Sequence, residues 1–74
     1  MPKDAVDPLL AEVGSRIRRL RDARELSQAA LARKAAIDRP YLVAIEAGRR
    51  NMTLLHLAKI ARALRVTPGS LLDD

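Results

Sequence analysis

Cysteine is absent from the 74-residue sequence, and histidine occurs once, at position 56. Without cysteine, disulfide bonds and thiolate metal sites are excluded, and a single histidine does not make a metal site. No apolar run approaches the roughly 20 residues that a membrane-spanning helix needs, and the N-terminal segment has no signal-peptide pattern. We therefore expect a cytoplasmic protein without a cofactor, a metal, a membrane or an evident small-molecule partner.

Aromatic residues are equally scarce, since Tyr41 is the only one among phenylalanine, tyrosine and tryptophan. The core must therefore be built from leucine, isoleucine, valine and alanine. A chain of this length forms one small domain with a thin margin of stability. We expect that domain to cover residues 7–74, after a flexible arm at residues 1–6.

Catalytic patterns are also missing. Ser15, Ser27 and Ser70 have no histidine nearby in the sequence, and His56 has no carboxylate three or four residues away. There is no glycine-rich phosphate-binding loop. The sequence predicts a protein that is not an enzyme, and it predicts that His56 lies on the surface or at a dimer interface.

Positive charge is abundant, with 14 lysines and arginines against nine acidic residues and a net charge of +5. Arginine dominates over lysine, and its planar guanidinium can donate two hydrogen bonds to a phosphate or to guanine. A basic balance alone leaves nucleic-acid binding open. Arg16, Arg18, Arg19 and Arg24 are expected to form a solvated face whose field attracts DNA.

Helix starts are the clearest local signal, and no stretch alternates as a strand would. Four residues have an apolar residue directly before them and another four positions later, the spacing of a capped helix with a hydrophobic staple. They are Ser27, Asp38, Thr53 and Thr67. A further helix begins at Asp7-Pro8. The sequence predicts five helices, near residues 8–24, 28–35, 39–47, 54–64 and 68–72.

The third predicted helix carries apolar residues on two sides. Leu42 and Ile45 have the spacing of a core-facing pair, so Val43 and Ala44 fall on the opposite side beside Arg39. The connection to the preceding helix is only about residues 36–37. So short a turn forces a steep crossing, which is helix-turn-helix geometry.

The segment "LSQAALARKAAIDRPYLVAIEAGRRNMTLLHLAKIARAL" resembles the helix-turn-helix of the phage Cro and repressor family, also called the XRE family. The resemblance extends over roughly residues 13–72. Within the family, "GRRNMTLLHLAKIARAL" is most similar to controller proteins of restriction-modification systems. Ala36 stands where the family often has glycine, and a positive φ there would cost alanine about 1 kcal/mol.

The resemblance implies an all-α, five-helix fold like that of lambda repressor, with helices 2 and 3 forming the helix-turn-helix. It also implies that helix 3 lies in the major groove of double-stranded DNA. The positions that match base-contacting ones are Arg39, Pro40, Val43 and Ala44. Arg39 suits guanine, whereas the apolar side chains suit thymine methyl groups.

Other positions match residues that contact the DNA backbone, namely Gln28, Tyr41, Arg49, Arg50 and Asn51. For Tyr41 we expect a hydroxyl–phosphate bond and a ring lying against the corner between helices 2 and 3. Gly48 is expected to cap the end of helix 3. Glu46 matches a family glutamate that pairs with an arginine of helix 1, here Arg21, in a structural ion pair.

Several leucines remain after the core positions are assigned, and we expect them at a dimer interface: Leu54, Leu55, Leu71 and Leu72. A two-fold dimer predicts a palindromic operator. The leading hypothesis is a homodimeric, sequence-specific, DNA-binding transcriptional regulator. Two alternatives stay open, an antitoxin-like protein-binding module and the DNA-binding segment of a longer regulator.

Overall fold

The structure is a computed structural model that describes residues 7–73, so the predicted arm at residues 1–6 lies outside the described part. Five helices follow one another in this range, and no strand occurs within it: α1 Pro8–Ala23, α2 Gln28–Ala35, α3 Arg39–Glu46, α4 Leu54–Leu64 and α5 Pro68–Leu72. The predicted all-α fold is confirmed. None of these helices is long and apolar enough to cross a membrane.

Four helices begin at a side chain that accepts a hydrogen bond from the first turn, and the staple spacing predicts three of these caps, all except that of α1. These residues are Asp7, Ser27, Thr53 and Thr67. The prediction for Asp38 is wrong, since its side chain makes no such bond. A capping side chain bonds the second or third N–H of the helix. Pro40 at the second position has no N–H, and Asp38 makes no bond to the third N–H, that of Tyr41, either.

All five helices contribute side chains to one apolar core. Its fully buried members include Val13, Ile17, Leu31, Leu42, Ile45, Ile60, Leu64 and Leu71. Leu71 was predicted at a dimer interface, and this is wrong because its exposed fraction is 0%. The short helix α5 packs against α1 and α4, and Leu71 closes the core there.

The turn between α2 and α3 uses a left-handed residue. Ala36 has φ 58°, and the N–H groups of Ala36 and Ile37 donate to the carbonyls of Arg33 and Ala32. This pattern closes a helix end sharply. Ile37 then packs its side chain on the core. Ala36 therefore adopts the left-handed conformation that was expected to be costly for alanine. This conformation turns the chain sharply between α2 and α3.

Two close approaches hold α1 against the end of α3. A Cβ added to Gly14 would lie 2.3 Å from the carbonyl oxygen of Ile45. Gly48 has φ 73°, and a Cβ there would lie 2.9 Å from the Cα of Ala11. The residue that caps the end of α3 is Ala47 rather than the predicted Gly48, which follows it.

Candidate nucleic-acid interface

The outward side of α3 is open to solvent. Arg39 and Pro40 are exposed, Val43 is 40% exposed and Ala44 is half-buried. On the opposite side of the same helix, Leu42 and Ile45 are buried in the core. The helix therefore presents an arginine and an apolar strip together on a surface that the fold of residues 7–73 leaves uncovered.

The position of α3 is fixed by a buried ion pair. Arg21 Nε of α1 lies 2.7 Å from Glu46 Oε2, and Arg21 Nη2 donates to Oε1 at 3.0 Å. Arg21 Nη1 also donates to the carbonyl of Leu26 at 2.8 Å. The hydrogen bond to Glu46 raises the pKa of Arg21, against the lowering effect of burial. This charged pair joins α1 to the last residue of α3.

Gln28 is part of the same network. Its Nε2 donates to Glu46 Oε1 at 3.1 Å, which ties the first residue of α2 to the last of α3. A primary amide nitrogen carries two hydrogens, so this bond leaves one for another acceptor. The side chain is half-buried at the start of α2.

Tyr41 supports the loop that follows α3. Its hydroxyl donates to the carbonyl of Asn51 at 3.1 Å. The guanidinium carbon of Arg50 lies 5.1 Å from the centre of the Tyr41 ring, within the range of a cation–π contact. The Tyr41 ring lines a cleft with Ala36 and Ile37 of the turn between α2 and α3, near the corner that the sequence predicts for it, and it also contacts Arg50 and His56. Arg49, Arg50 and Asn51 are all exposed.

A cleft of about 760 Å³ opens between the start of α3 and the start of α4. Its polar lining is Asp38, Arg39, Tyr41, Arg50 and His56. Because Arg39 and Pro40 also belong to the outward side of α3, the cleft and that side form one continuous, mainly basic surface.

Two residues differ from their predicted surroundings. His56 is half-buried, and its Nδ1 lies 3.0 Å from Thr53 Oγ1 and 3.2 Å from the Tyr41 hydroxyl. Arg16 is also half-buried rather than fully solvated, and its Nη1 donates to the carbonyl of Leu71 at 3.2 Å. The spacing of His56 from the capping Thr53 is the one sequence signal for its contacts. Nothing local in the sequence marks the bond of Arg16, which spans 55 positions.

Three of the leucines assigned to a dimer interface are exposed. Leu54 is 82% exposed, Leu55 is 61% exposed and Leu72 is 44% exposed. Leu54 and Leu55 begin α4, and Leu72 ends α5. These three side chains are apolar surface that the core of residues 7–73 does not use.

The comparisons with known proteins agree with this geometry. The helix-turn-helix family profile matches residues 17–71. The control protein C.MunI of a Mycoplasma species is 37% identical over 62 residues, which cover 82% of this chain and 84% of that protein. Among solved structures, the restriction-modification controller protein C.AhdI from Aeromonas hydrophila is 42% identical, covering 84% of this chain and 94% of that chain, with a TM-score of 0.82.

A third similar protein was solved with DNA. SinR, the master regulator for biofilm formation, is 34% identical in its complex with DNA and has a TM-score of 0.79, covering 82% of this chain and 98% of that one; its N-terminal DNA-binding domain is also known from Bacillus subtilis. The family match, the relatives and the open side of α3 lead to one conclusion. The chain belongs to the Cro- and repressor-type (XRE) family of helix-turn-helix proteins, which are DNA-binding transcriptional regulators.

Proposed function

We propose that this protein is a sequence-specific regulator without catalytic activity, which binds a palindromic operator as a homodimer and reads it through the outward side of α3. The observation that carries the proposal is the solvent-open combination of Arg39 with Pro40, Val43 and Ala44. Exposed apolar side chains beside an arginine are poorly suited to water. They are well suited to a major groove, where thymine methyl groups lie beside guanine acceptors.

Arg39 is the residue we assign to guanine. It is the first residue of α3, and its guanidinium forms none of the hydrogen bonds or ion pairs found among residues 7–73. The N-terminal residues of a recognition helix are those that reach base edges. A bidentate arginine–guanine pair contributes about 1–3 kcal/mol of discrimination against other bases.

Backbone phosphates are the ligands proposed for the residues around α3. Gln28 has an amide hydrogen beyond the one bonded to Glu46, and Arg49, Arg50 and Asn51 form an exposed loop after the helix. Tyr41 already donates its only hydroxyl hydrogen to Asn51. It would have to give up that bond to donate to a phosphate, so we assign Tyr41 mainly to holding the loop in place.

A two-fold interface is the use we propose for Leu54, Leu55 and Leu72. Covering apolar surface contributes about 25 cal/mol per Å². Burying these three exposed leucines against a second copy would therefore be favourable. A single recognition helix reads only a few base pairs, which is too little to find one site in a genome. A two-fold dimer predicts two half-sites about one DNA turn apart.

Two arginine variants test the assignment of base and phosphate contacts. Arg39→Ala is expected to lose preference at one base pair of each half-site while keeping affinity for random DNA. Arg49→Ala is expected to weaken binding to cognate and random duplexes alike, and to reduce the slope of log affinity against log salt by about one.

The two variants control for each other, since each removes one exposed arginine. Binding is measured by fluorescence anisotropy on cognate and scrambled duplexes at several salt concentrations. Equal losses on both duplexes in both variants would contradict the assignment of Arg39 to base readout.

A further inference from the structure

We propose that His56 couples DNA binding to proton uptake, taking up a proton when a backbone phosphate occupies the cleft between α3 and α4. This inference rests on the proposed DNA-binding function. It starts from the position of His56, which is the third residue of α4 and lines the cleft together with Arg39 and Arg50. Histidine is also the one side chain of this sequence that ordinarily changes charge near neutral pH.

The contacts of Nδ1 allow both charge states of the ring. Thr53 Oγ1 lies 3.0 Å from Nδ1, and the Tyr41 hydroxyl lies 3.2 Å away. In the neutral tautomer that carries its hydrogen on Nε2, Nδ1 accepts the Thr53 hydroxyl hydrogen, and Tyr41 donates to the carbonyl of Asn51. In the protonated ring Nδ1–H donates to the Tyr41 oxygen, which still donates to Asn51. Either state therefore keeps these groups hydrogen-bonded, and the fold does not lock the ring in one of them.

The second ring nitrogen is left for a ligand. When Nδ1 accepts a hydrogen bond, the neutral ring carries its hydrogen on Nε2. No hydrogen bond from Nε2 occurs within residues 7–73, apart from any made to water. A ring that lines the cleft with a free N–H has the donor that a phosphate oxygen requires.

The charges around the His56 ring determine whether DNA binding takes up or releases a proton. Arg39 and Arg50 line the same cleft as His56, and Lys59 follows one turn along α4. Among the cleft-lining side chains of residues 7–73, only Asp38 carries negative charge, while Tyr41 is neutral. A phosphodiester in the cleft adds negative charge and favours the imidazolium. Affinity for DNA therefore rises as pH falls, and binding takes up a fraction of a proton.

The test compares wild-type protein with His56→Gln, whose amide keeps a donor and an acceptor at this position but does not titrate. The probe is the duplex that the wild-type protein selects from a random pool, at constant ionic strength. From about pH 8 to pH 6 the wild-type dissociation constant is expected to fall about three- to tenfold, since one linked proton changes it at most tenfold per pH unit. The variant should change less than about twofold, and it retains the α-amino group, the other group that titrates in this range.

A second measurement does not depend on a variant. The imidazole resonances of His56 are titrated by NMR in the free protein and in the complex, and isothermal calorimetry in two buffers of different ionisation enthalpy counts the protons taken up. We expect a higher midpoint of titration in the complex and net uptake near neutral pH. Binding that is tight but has the same pH dependence in wild type and His56→Gln, or an unshifted midpoint, overturns this inference alone. Failure of the wild-type protein to select any duplex would instead overturn the proposed function.

Discussion

Glu46 is the residue at which three helices meet. Its carboxylate accepts hydrogen bonds from Arg21 of α1 and Gln28 of α2, and Glu46 is itself the last residue of α3. Its side chain is 3% exposed and that of Arg21 is 10% exposed. The orientation of α3 in the domain is therefore held by a buried charge pair at the end of that helix.

Removing the carboxylate should be costly. Glu46→Ala removes the buried partner of the Arg21 guanidinium and leaves only the exposed carboxylate of Asp22, 3.3 Å from Nη1. The free energy of unfolding is expected to fall by up to about 3–5 kcal/mol. Urea denaturation followed by circular dichroism measures this loss. Glu12→Ala, an exposed glutamate of α1, is the control and should change stability by less than about 0.5 kcal/mol. Similar losses in the two variants would show that the pair does not hold the fold.

Single residues were predicted well where the chemistry is local or matches a family position. Ser27, Thr53 and Thr67 cap helices as their staples indicate, and the Arg21–Glu46 pair stands where the resemblance placed it. The bond from Gln28 to Glu46 was missed, because it joins residues 18 positions apart and exists only once α2 and α3 cross. Asp38 has the same staple spacing as the three capping residues but makes no cap bond, so the staple alone does not predict the cap.

At the scale of elements, α1 and α3 are held closer together than most helix pairs allow. Gly14 makes this possible, because a Cβ would fall 2.3 Å from the carbonyl oxygen of Ile45, which is backbone and cannot move alone. The contact fixes the C-terminal end of α3. The sequence gives no sign of it, since Gly14 lies inside a helix where glycine usually only weakens.

Gly14→Ala is therefore expected to destabilise the protein although alanine is the better helix former. The added methyl group pushes α3 away from α1, and we expect a loss of about 1–3 kcal/mol or more in the free energy of unfolding, together with weaker DNA binding. Thermal unfolding and anisotropy measure the two effects. Ser15→Ala, at the exposed neighbouring position, should be neutral or slightly stabilising. A stabilised Gly14→Ala protein would contradict the observed helix approach.

Helix starts were predicted at all five positions and helix ends at three, since α1 and α3 end one residue earlier than predicted. The helices α2 and α4 stop at Ala36 and Arg65, both in the left-handed conformation with φ near 60° and neither of them glycine. Which leucine of α5 faces inward was predicted wrongly, although the staple of Thr67 pairs Leu71 with Val66. A helix of five residues has too little periodicity to decide between Leu71 and Leu72, and the packing of α5 on α1 makes the choice.

At the scale of the whole molecule, the outward side of α3 and the exposed leucines of α4 and α5 are apolar surfaces that the core of residues 7–73 leaves uncovered. If Leu54 and Leu55 are buried in a two-fold interface, replacing them with charged residues should dissociate the dimer. Leu54→Lys with Leu55→Lys is expected to give a monomer in sedimentation velocity at concentrations where the wild type is a dimer, because two buried lysines would lack counter-ions. The double variant should also lose most affinity for a full palindrome.

Leu9→Lys is the matched control for this interface. Leu9 is 47% exposed on α1, so its replacement adds a lysine at an exposed leucine outside the proposed contact. It should leave the sedimentation coefficient unchanged. A wild-type protein that stays monomeric even with its duplex bound would contradict the proposed dimer. If Leu9→Lys dissociates the dimer as much as the double variant does, Leu54 and Leu55 are not specifically the interface.

The central claim is that the outward side of α3 reads bases in the major groove. It is tested most directly by selecting bound duplexes from a random pool with the wild-type protein and with Arg39→Ala. We expect the wild type to enrich a palindrome with half-sites about one DNA turn apart, and Arg39→Ala to enrich the same palindrome with one guanine position relaxed in each half. A wild-type pool without an enriched sequence, or an identical motif from both proteins, would contradict the claim.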